Sequence, residues 1–458
     1  MKLHAVFFCP HVCYGCTFYL HFTNDPGWIW INCKKNLFLR GIEVRDGRKD
    51  WAFRMDLQRK IVLFDAEGSY LNLLPLSYTR PVAEFRVGIT KIVDKWRRFI
   101  GASYSYFPPE YLREKFPIGM EEDEEALFIA GNLLPDESLV EAVLRLGRGE
   151  AMRDADGLCA FRGTLGEFMR LAPGSGCEYS RPTRRVRYVF DIFRMNPDAI
   201  EEDYRRLVDG RESQKPGPGT VVLGPDRLPD GLPSLFIEEG AVVECAVINV
   251  KDGPVYIGRD AVVMEGSCLR GPLAICDNAK IRMGARIYGG STFGPYCKVG
   301  GEVDNAVFFG YSNKAHDGYL GNAVIGEWCN IGAGTNSSNL KNDYSKIRIW
   351  NYASQSFMRT DLQFCGLIMG DHSKAGINCM FNTASVVGVG VNFHGCGYPR
   401  TFIPSFSTGS PEGGFTNVSV EAFMAIAGRV MQRRGIILDD VDRRLFERIY
   451  NSALRFKK

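Results

Sequence analysis

From Ile257 onward an apolar residue returns at every sixth position: Ile257, Val263, Leu269, Ile275, Ile281, Ile287, Phe293 and Val299. Four places after each stand Ala261, Ser267, Leu273, Ala279, Ala285, Ser291, Cys297 and Val303, all but Leu273 small or β-branched. No helix has a period of six, and a lone strand repeats every two residues. A triangular coil does repeat every six. Each side points one large side chain inward and places a small one near the corner, so that coils of about 18 residues stack tightly. The spacing predicts a parallel β-helix over residues 235–410. The chain has 50 glycines, and they concentrate after residue 250.

The phase breaks between Val303 and Leu320 and resumes out of step at Ile325 and Ile331. It breaks again over Asn339–Asp361 and returns at Met369, Ala375, Phe381, Val387 and Phe393, with Ser373, Cys379 and Ser385 at corners. Interruptions of a rigid scaffold are where function concentrates.

At 458 residues the chain is too long for one core. A net charge of +3 gives no global field for nucleic acid. No apolar run reaches the roughly 20 residues of a membrane span. Cys297 and Cys379 stand where other repeats hold Ala or Ser, so they read as small buried thiols in a reducing, cytoplasmic setting.

Residues 1–54 resemble nothing that follows. Cys9, His11, Cys13, Cys16 and His21 are zinc-type donors, but the second half of a finger is missing. The segment is read as a poorly packed extension upstream of a start at Met55. Residues 55–208 form an α/β domain: Lys60–Asp65 reads as a buried strand, a helix follows within residues 88–99, and another covers Pro197–Val208. Residues 209–234, polar and rich in Pro and Gly, read as a linker. Residues 411–458 read as a helical tail, with Ser419 as a cap, closing the end of the prism or serving a trimer contact.

The run Glu67–Pro81 resembles the opening of sugar-nucleotide pyrophosphorylases, Gly-x-Gly-Thr-Arg-x-x-Pro-Leu-Thr-x-x-x-Pro-Lys. Pro75-Leu76-Ser77 and Pro81 match; the loop arginine falls on Asn72, the lysine on Val82, and Gly68 alone remains of the glycine pair. The resemblance implies nucleotide binding by Gly68, with Arg80 and Arg86 as replacement positive charge or else as surface arginines. It also implies Mg²⁺ near Asn132, Asp136 and Asn196, although Asn is a weaker ligand than a carboxylate.

Ser312–Gly334, Ser-Asn-Lys-Ala-His-Asp-Gly-Tyr-Leu-Gly-Asn-Ala-Val-Ile-Gly-Glu-Trp-Cys-Asn-Ile-Gly-Ala-Gly, closely resembles the acetyltransferase half of the bifunctional UDP-N-acetylglucosamine pyrophosphorylase and glucosamine-1-phosphate N-acetyltransferase family. The resemblance implies a left-handed β-helix acting as a homotrimer. It implies His316 as general base toward the amine of a sugar-1-phosphate, with Arg286, Tyr319, Asn330, Asn339 and Lys346 binding that acceptor. Acetyl-CoA would lie against Ser373, Lys374 and Ser385, and UTP or dTTP would serve the first domain. Leu340 replaces a family tyrosine, and Asp304 stands where the family has lysine. Three other readings compete: a hexose-1-phosphate nucleotidyltransferase with the β-helix as oligomerisation scaffold, a γ-type zinc carbonic anhydrase using His316, His372 and His394, and a binding scaffold without catalysis.

Overall fold

The computed structural model describes residues 60–457, together with the backbones of two short strands, Tyr19–Phe22 and Ile29–Asn32, which pair antiparallel. The side chains of the zinc-type donors lie outside the described residues. Residues 60–457 belong to one compact unit.

The first half of that unit is a six-stranded mixed sheet, ordered Ser103–Phe107, Lys60–Phe64, Ala126–Ala130, Gly157–Gly163, Ala151–Asp154, Cys177–Glu178. The first three strands are parallel, and Ile61, Val62, Leu63 and Phe128 are fully buried, as two covered faces require. The chain runs from the central strand Lys60–Phe64 to the edge and back across to Ala126–Ala130. A switch point therefore opens at the carboxyl ends of these two strands, where ligands bind in such sheets. Asp65 and Gly131-Asn132 follow them there.

The second half is a left-handed β-helix of three parallel faces. The first face stacks Leu235–Ile237, Val255–Ile257, Leu273–Ile275, Ser291–Phe293 and onward to Phe402–Ile403. The second runs from Val242–Val243 through Lys280–Ile281, Lys298–Val299 and Asn313–Lys314 to Ser407–Ser410. The third runs from Val221–Leu223 through Arg286–Ile287 to Met380–Phe381. The eight period-six residues fall on the three faces in rotation, and all are buried. Val221–Leu223 opens the third face, so the segment read as a linker belongs in part to the prism.

The first break in phase is a shortening, not a loop. Glu302–Gly310 and Tyr319–Glu327 run as continuous nine-residue strands across the corner between the third and first faces. The second break is a true insertion, a hairpin of Arg348–Asn351 and Ser356–Arg359. At the corner between the first and second faces Tyr296, Tyr311, Trp328 and His372 all take left-handed backbone conformations. Their rings stack on one another in that order.

The outward side chains Val307, Phe309, Val324, Ile368 and Val386 of the first face share one core with the α/β half and the tail. The helix Asp191–Val208 lies on this face, where the buried Asn196 donates to Gly290 O at 2.7 Å and Thr292 Oγ1 at 2.9 Å. The tail helices Val420–Gln432 and Asp440–Ala453 are capped by Ser419 and Asp439. The tail packs along the flank of the prism, with Phe423 against His372 and Phe406, and does not only close its end.

Candidate functional site

The candidate residues gather mainly in two regions, the switch point of the sheet and the prism corner carrying His316.

At the switch point the turn after Lys60–Phe64 is short. Asp65 and Ala66 lead directly into a six-residue helix, Glu67–Asn72, that contains the exposed Gly68. A long phosphate-cradling loop has no room between strand and helix. Asp65, half-buried, accepts the Val82 N–H at 3.1 Å, and burial pushes its carboxyl up to about 7. Sequence reasoning missed Asp65, although a carboxylate directly after the first parallel strand is a usable signal.

The two arginines expected to replace lost positive charge are engaged at the join between the halves. Arg80 pairs with Glu327 at 3.0 Å and with Asp371, both on the prism, and Thr79 Oγ1 donates to the same Asp371 oxygen at 2.7 Å. Arg86 donates to the carbonyls of Phe309 and Ile89. Both side chains are buried at the join between the halves and carry no free donor fork toward the switch point.

The three expected metal ligands are engaged in hydrogen bonds as well. Asn132 Oδ1 accepts from Arg185 at 3.1 Å, while its amide donates to Ser69 and Val186. Arg185, itself buried, is held by Asp154 at 2.7 Å and by Leu158 O at 3.0 Å. A guanidinium thus faces the oxygen that a cation would need. Asp136 caps the helix Glu137–Leu144, and Asn196 Oδ1 accepts the Gly88 N–H at 2.6 Å. These residues do not fit Mg²⁺, and no cluster of three His, Cys, Asp or Glu suited to a metal occurs among the described residues.

The prism corner is different. His316 is exposed at the corner between the second and third faces. On the third face Arg286, Glu302 and Tyr319 stand on successive rungs in register. Among the described residues Arg286 makes only long ion pairs, 3.6 Å to Glu302 and 3.8 Å to Asp317. Tyr319 accepts from Asn339 at 3.0 Å, and Asn339 also donates to Asn322 at 2.7 Å. Gly321 makes this possible: a Cβ there would lie 2.3 Å from the Tyr319 hydroxyl. Asp304 is half-buried, and burial together with Glu302 raises its carboxyl above the usual range.

Asn330 lies around the corner on the second face, between Asn313 and Lys374. Lys346 donates to Asp361 O at 2.7 Å at the base of the inserted hairpin. The structure therefore bonds Tyr319 to Asn339 on the third face, sets Arg286 two rungs below Tyr319 on that face, and leaves Asn330 and Lys346 elsewhere. Ser373 and Ser385 are buried corner hydroxyls, bonded to Gly388 O at 2.6 Å and Asn382 O at 2.7 Å, so they do not line a surface groove as expected. Lys374 remains on the second face and donates to His372 O at 2.9 Å. His372 sits under Phe423 and Phe446, 5% exposed, and so cannot meet His316 and His394 at a shared zinc.

Residues 61–212 match the model of the family described as sugar nucleotidyl transferase. Among curated proteins the chain is similar to the bifunctional protein GlmU of Trichodesmium erythraeum, 42% identical over 67 residues, which is 14% of each chain. It is also similar to GlmU of Synechococcus elongatus, 30% identical over 116 residues, or 25% of this chain and 22% of that one. The matches thus span under a quarter of those relatives' length. Among solved structures, Francisella novicida UDP-N-acetylglucosamine acyltransferase aligns over 52% of this chain and 77% of its own, at 13% identity and a TM-score of 0.27. The fold assignment rests on the strand register itself. The chain thus carries a segment of the sugar nucleotidyl transferase family over residues 61–212, ahead of a β-helix, and shares short stretches with the GlmU proteins.

Proposed function

We propose that the protein is a transferase that moves an acyl group, acetyl in the first instance, from acyl-CoA to the amine of a sugar-1-phosphate, with His316 as general base. One observation carries this reading. The exposed His316 belongs to the corner that leads into a face carrying a loosely paired arginine, one of whose partners is the neighbouring Asp317, and a hydrogen-bonded Tyr319–Asn339 pair.

An imidazole is suited to taking a proton from an attacking amine near neutral pH. As the nitrogen bonds to the thioester carbonyl carbon, His316 takes the amine proton. The carbon–sulfur bond then breaks and the thiolate leaves with a proton. Arg286 offers a fork to a phosphate, which would displace two long ion pairs at little cost. Glu302 and Asp304 lie beside Tyr319 and disfavour an anionic group there, which leaves Arg286 as the site for the single phosphate. Tyr319 and Asn339 position the acceptor; Lys374 offers a cation to the donor from the second face. The first face is covered by the chain itself, so the His316 corner is free to meet a neighbouring copy, and we place the reaction in a homotrimer within a reducing cytoplasm.

A nucleotidyltransferase whose prism is only a scaffold is the second reading, favoured by the family match over residues 61–212. The engagement of Arg80, Arg86, Asn132 and Asn196 counts against it. The deciding assay supplies glucosamine-1-phosphate, acetyl-CoA, UTP and Mg²⁺, and follows thiol and pyrophosphate release separately. Thiol release without pyrophosphate supports acyl transfer; pyrophosphate alone supports the second reading.

A further inference from the structure

One residue inside the prism is charged where the architecture calls for an apolar side chain. Lys314 is in register with Val299, and the pairing of Asn313 with Asn330 sets it beside Ile331. It is 1% exposed. Its ammonium donates to two carbonyls, Gly300 O at 3.1 Å and His316 O at 2.7 Å. Burial brings that ammonium down to about 8, with Asp317 opposing the shift and Arg286 adding to it. A buried charge of this kind is a poor source of stability, since an apolar side chain of similar volume is often neutral or better.

The coil beneath explains what the ammonium reaches. Ile281 to Ile287 and Ile331 to Ser337 are six-residue steps, but Val299 to Val303 is only four. Gly300 and Gly301 make this short turn. A Cβ on Gly301 would lie 2.7 Å from His316 O, and one on Gly300 would lie 2.7 Å from Ala315 O. The corner Ala315–Gly318 therefore rests on two glycines. Backbone bonds hold its ends: Gly300 N–H to Lys314 O at 2.7 Å, Gly334 N–H to Asp317 O at 2.9 Å, and Glu302 N–H to Gly318 O at 3.2 Å. The His316 carbonyl itself is held from inside by Lys314.

We propose that Lys314 is a positioning residue for His316: its ammonium anchors the His316 peptide from within the prism, over the Gly300–Gly301 turn, and so fixes how the imidazole is presented. The activity part of this inference rests on the acyl-transfer reading; the geometric part does not.

The test is Lys314→Met in the full chain. The variant should melt no lower than the parent. Its kcat for thiol release should fall about 10- to 100-fold, the scale of a misplaced catalytic group, with KM for donor and acceptor unchanged. The carbon-13 resonance of His316 Cε1, assigned by its loss in His316→Gln, should shift and titrate differently. Parental kcat with an unmoved resonance overturns the proposal. So does a lowered melting temperature with lowered activity and an unmoved resonance, which marks a packing role alone. If the parent transfers no acyl group, a moved resonance still supports the anchoring while the acyl-transfer reading fails. Should Lys314→Met not fold, Gly301→Ala displaces the same corner from outside. The same resonance shift is expected there, and an unmoved one overturns the proposal.

Discussion

Arg80, in the α/β half, and Asp371, on the prism, form an ion pair in which both side chains are buried. Glu327 and Thr79 complete the group, and the Arg80 guanidinium lies 5.4 Å from the centre of the Phe309 ring. The two halves are thus joined through charge as well as through the shared apolar core. Removing one partner of a buried pair strands the other charge, at a cost of about 3–5 kcal/mol. Arg80→Ala should lose that much in urea unfolding, while Arg80→Met combined with Asp371→Leu should recover part of it, because contacting residues are not additive. A loss under about 1 kcal/mol for the single variant would refute the join as described.

Stability should also depend on pH through His372. Its imidazole is stacked on Trp328, and Nδ1 has no hydrogen-bond partner among the described residues. Burial first, then Lys374, Lys115 and Arg80, hold it well below the ordinary histidine range. The unfolded chain therefore takes a proton near pH 6.5 that the folded chain refuses. Stability from this group is fully present above about pH 6.5 and is lost as pH falls below it, with a limiting slope of about 1.4 kcal/mol per pH unit. His372→Phe, which keeps a ring in the stack, should flatten the melting profile between about pH 6.5 and 5 relative to the parent. An unchanged profile would place the acid sensitivity elsewhere.

The guanidinium against Asn132 predicts indifference to magnesium at the switch point. Mg²⁺ should leave the melting temperature unchanged with or without UTP, and pyrophosphate should not be released from UTP and a sugar-1-phosphate. Magnesium-dependent pyrophosphate release would show that the Arg185–Asn132 contact opens in solution and would revive the nucleotidyltransferase reading.

How much of this was legible in the sequence varies by residue. The period of six placed Ile257 to Val299 inside the prism, because inward spacing is set by coil geometry alone. The same arithmetic marks Lys314, six places after Phe308 and six before Leu320, yet a charged side chain does not show in an apolar pattern. The phase break between Val303 and Leu320 was not readable as a shortening, because a shortened corner leaves the same gap in the pattern as an insertion. Arg80 and Arg86 were not readable: their partners, Asp371 and Phe309, lie more than 200 positions away. Ser373 and Ser385 were placed at corners correctly, but a corner hydroxyl turns into the coil stack and bonds a carbonyl.

Because the first face is covered by the chain itself, association should use the second and third faces beside His316. Sedimentation should give a trimer. A monomer with undiminished acyl transfer would show that one prism holds the whole site.

The most direct measurement is thiol release by His316→Ala with acetyl-CoA and glucosamine-1-phosphate. His316 is exposed, so its loss should leave the melting temperature nearly unchanged. Acyl transfer should slow by about 10²- to 10⁴-fold, the share of a general base, or about 3–5 kcal/mol of barrier. Thiol release at the parental rate in a folded His316→Ala protein would contradict the assignment of His316 as the base.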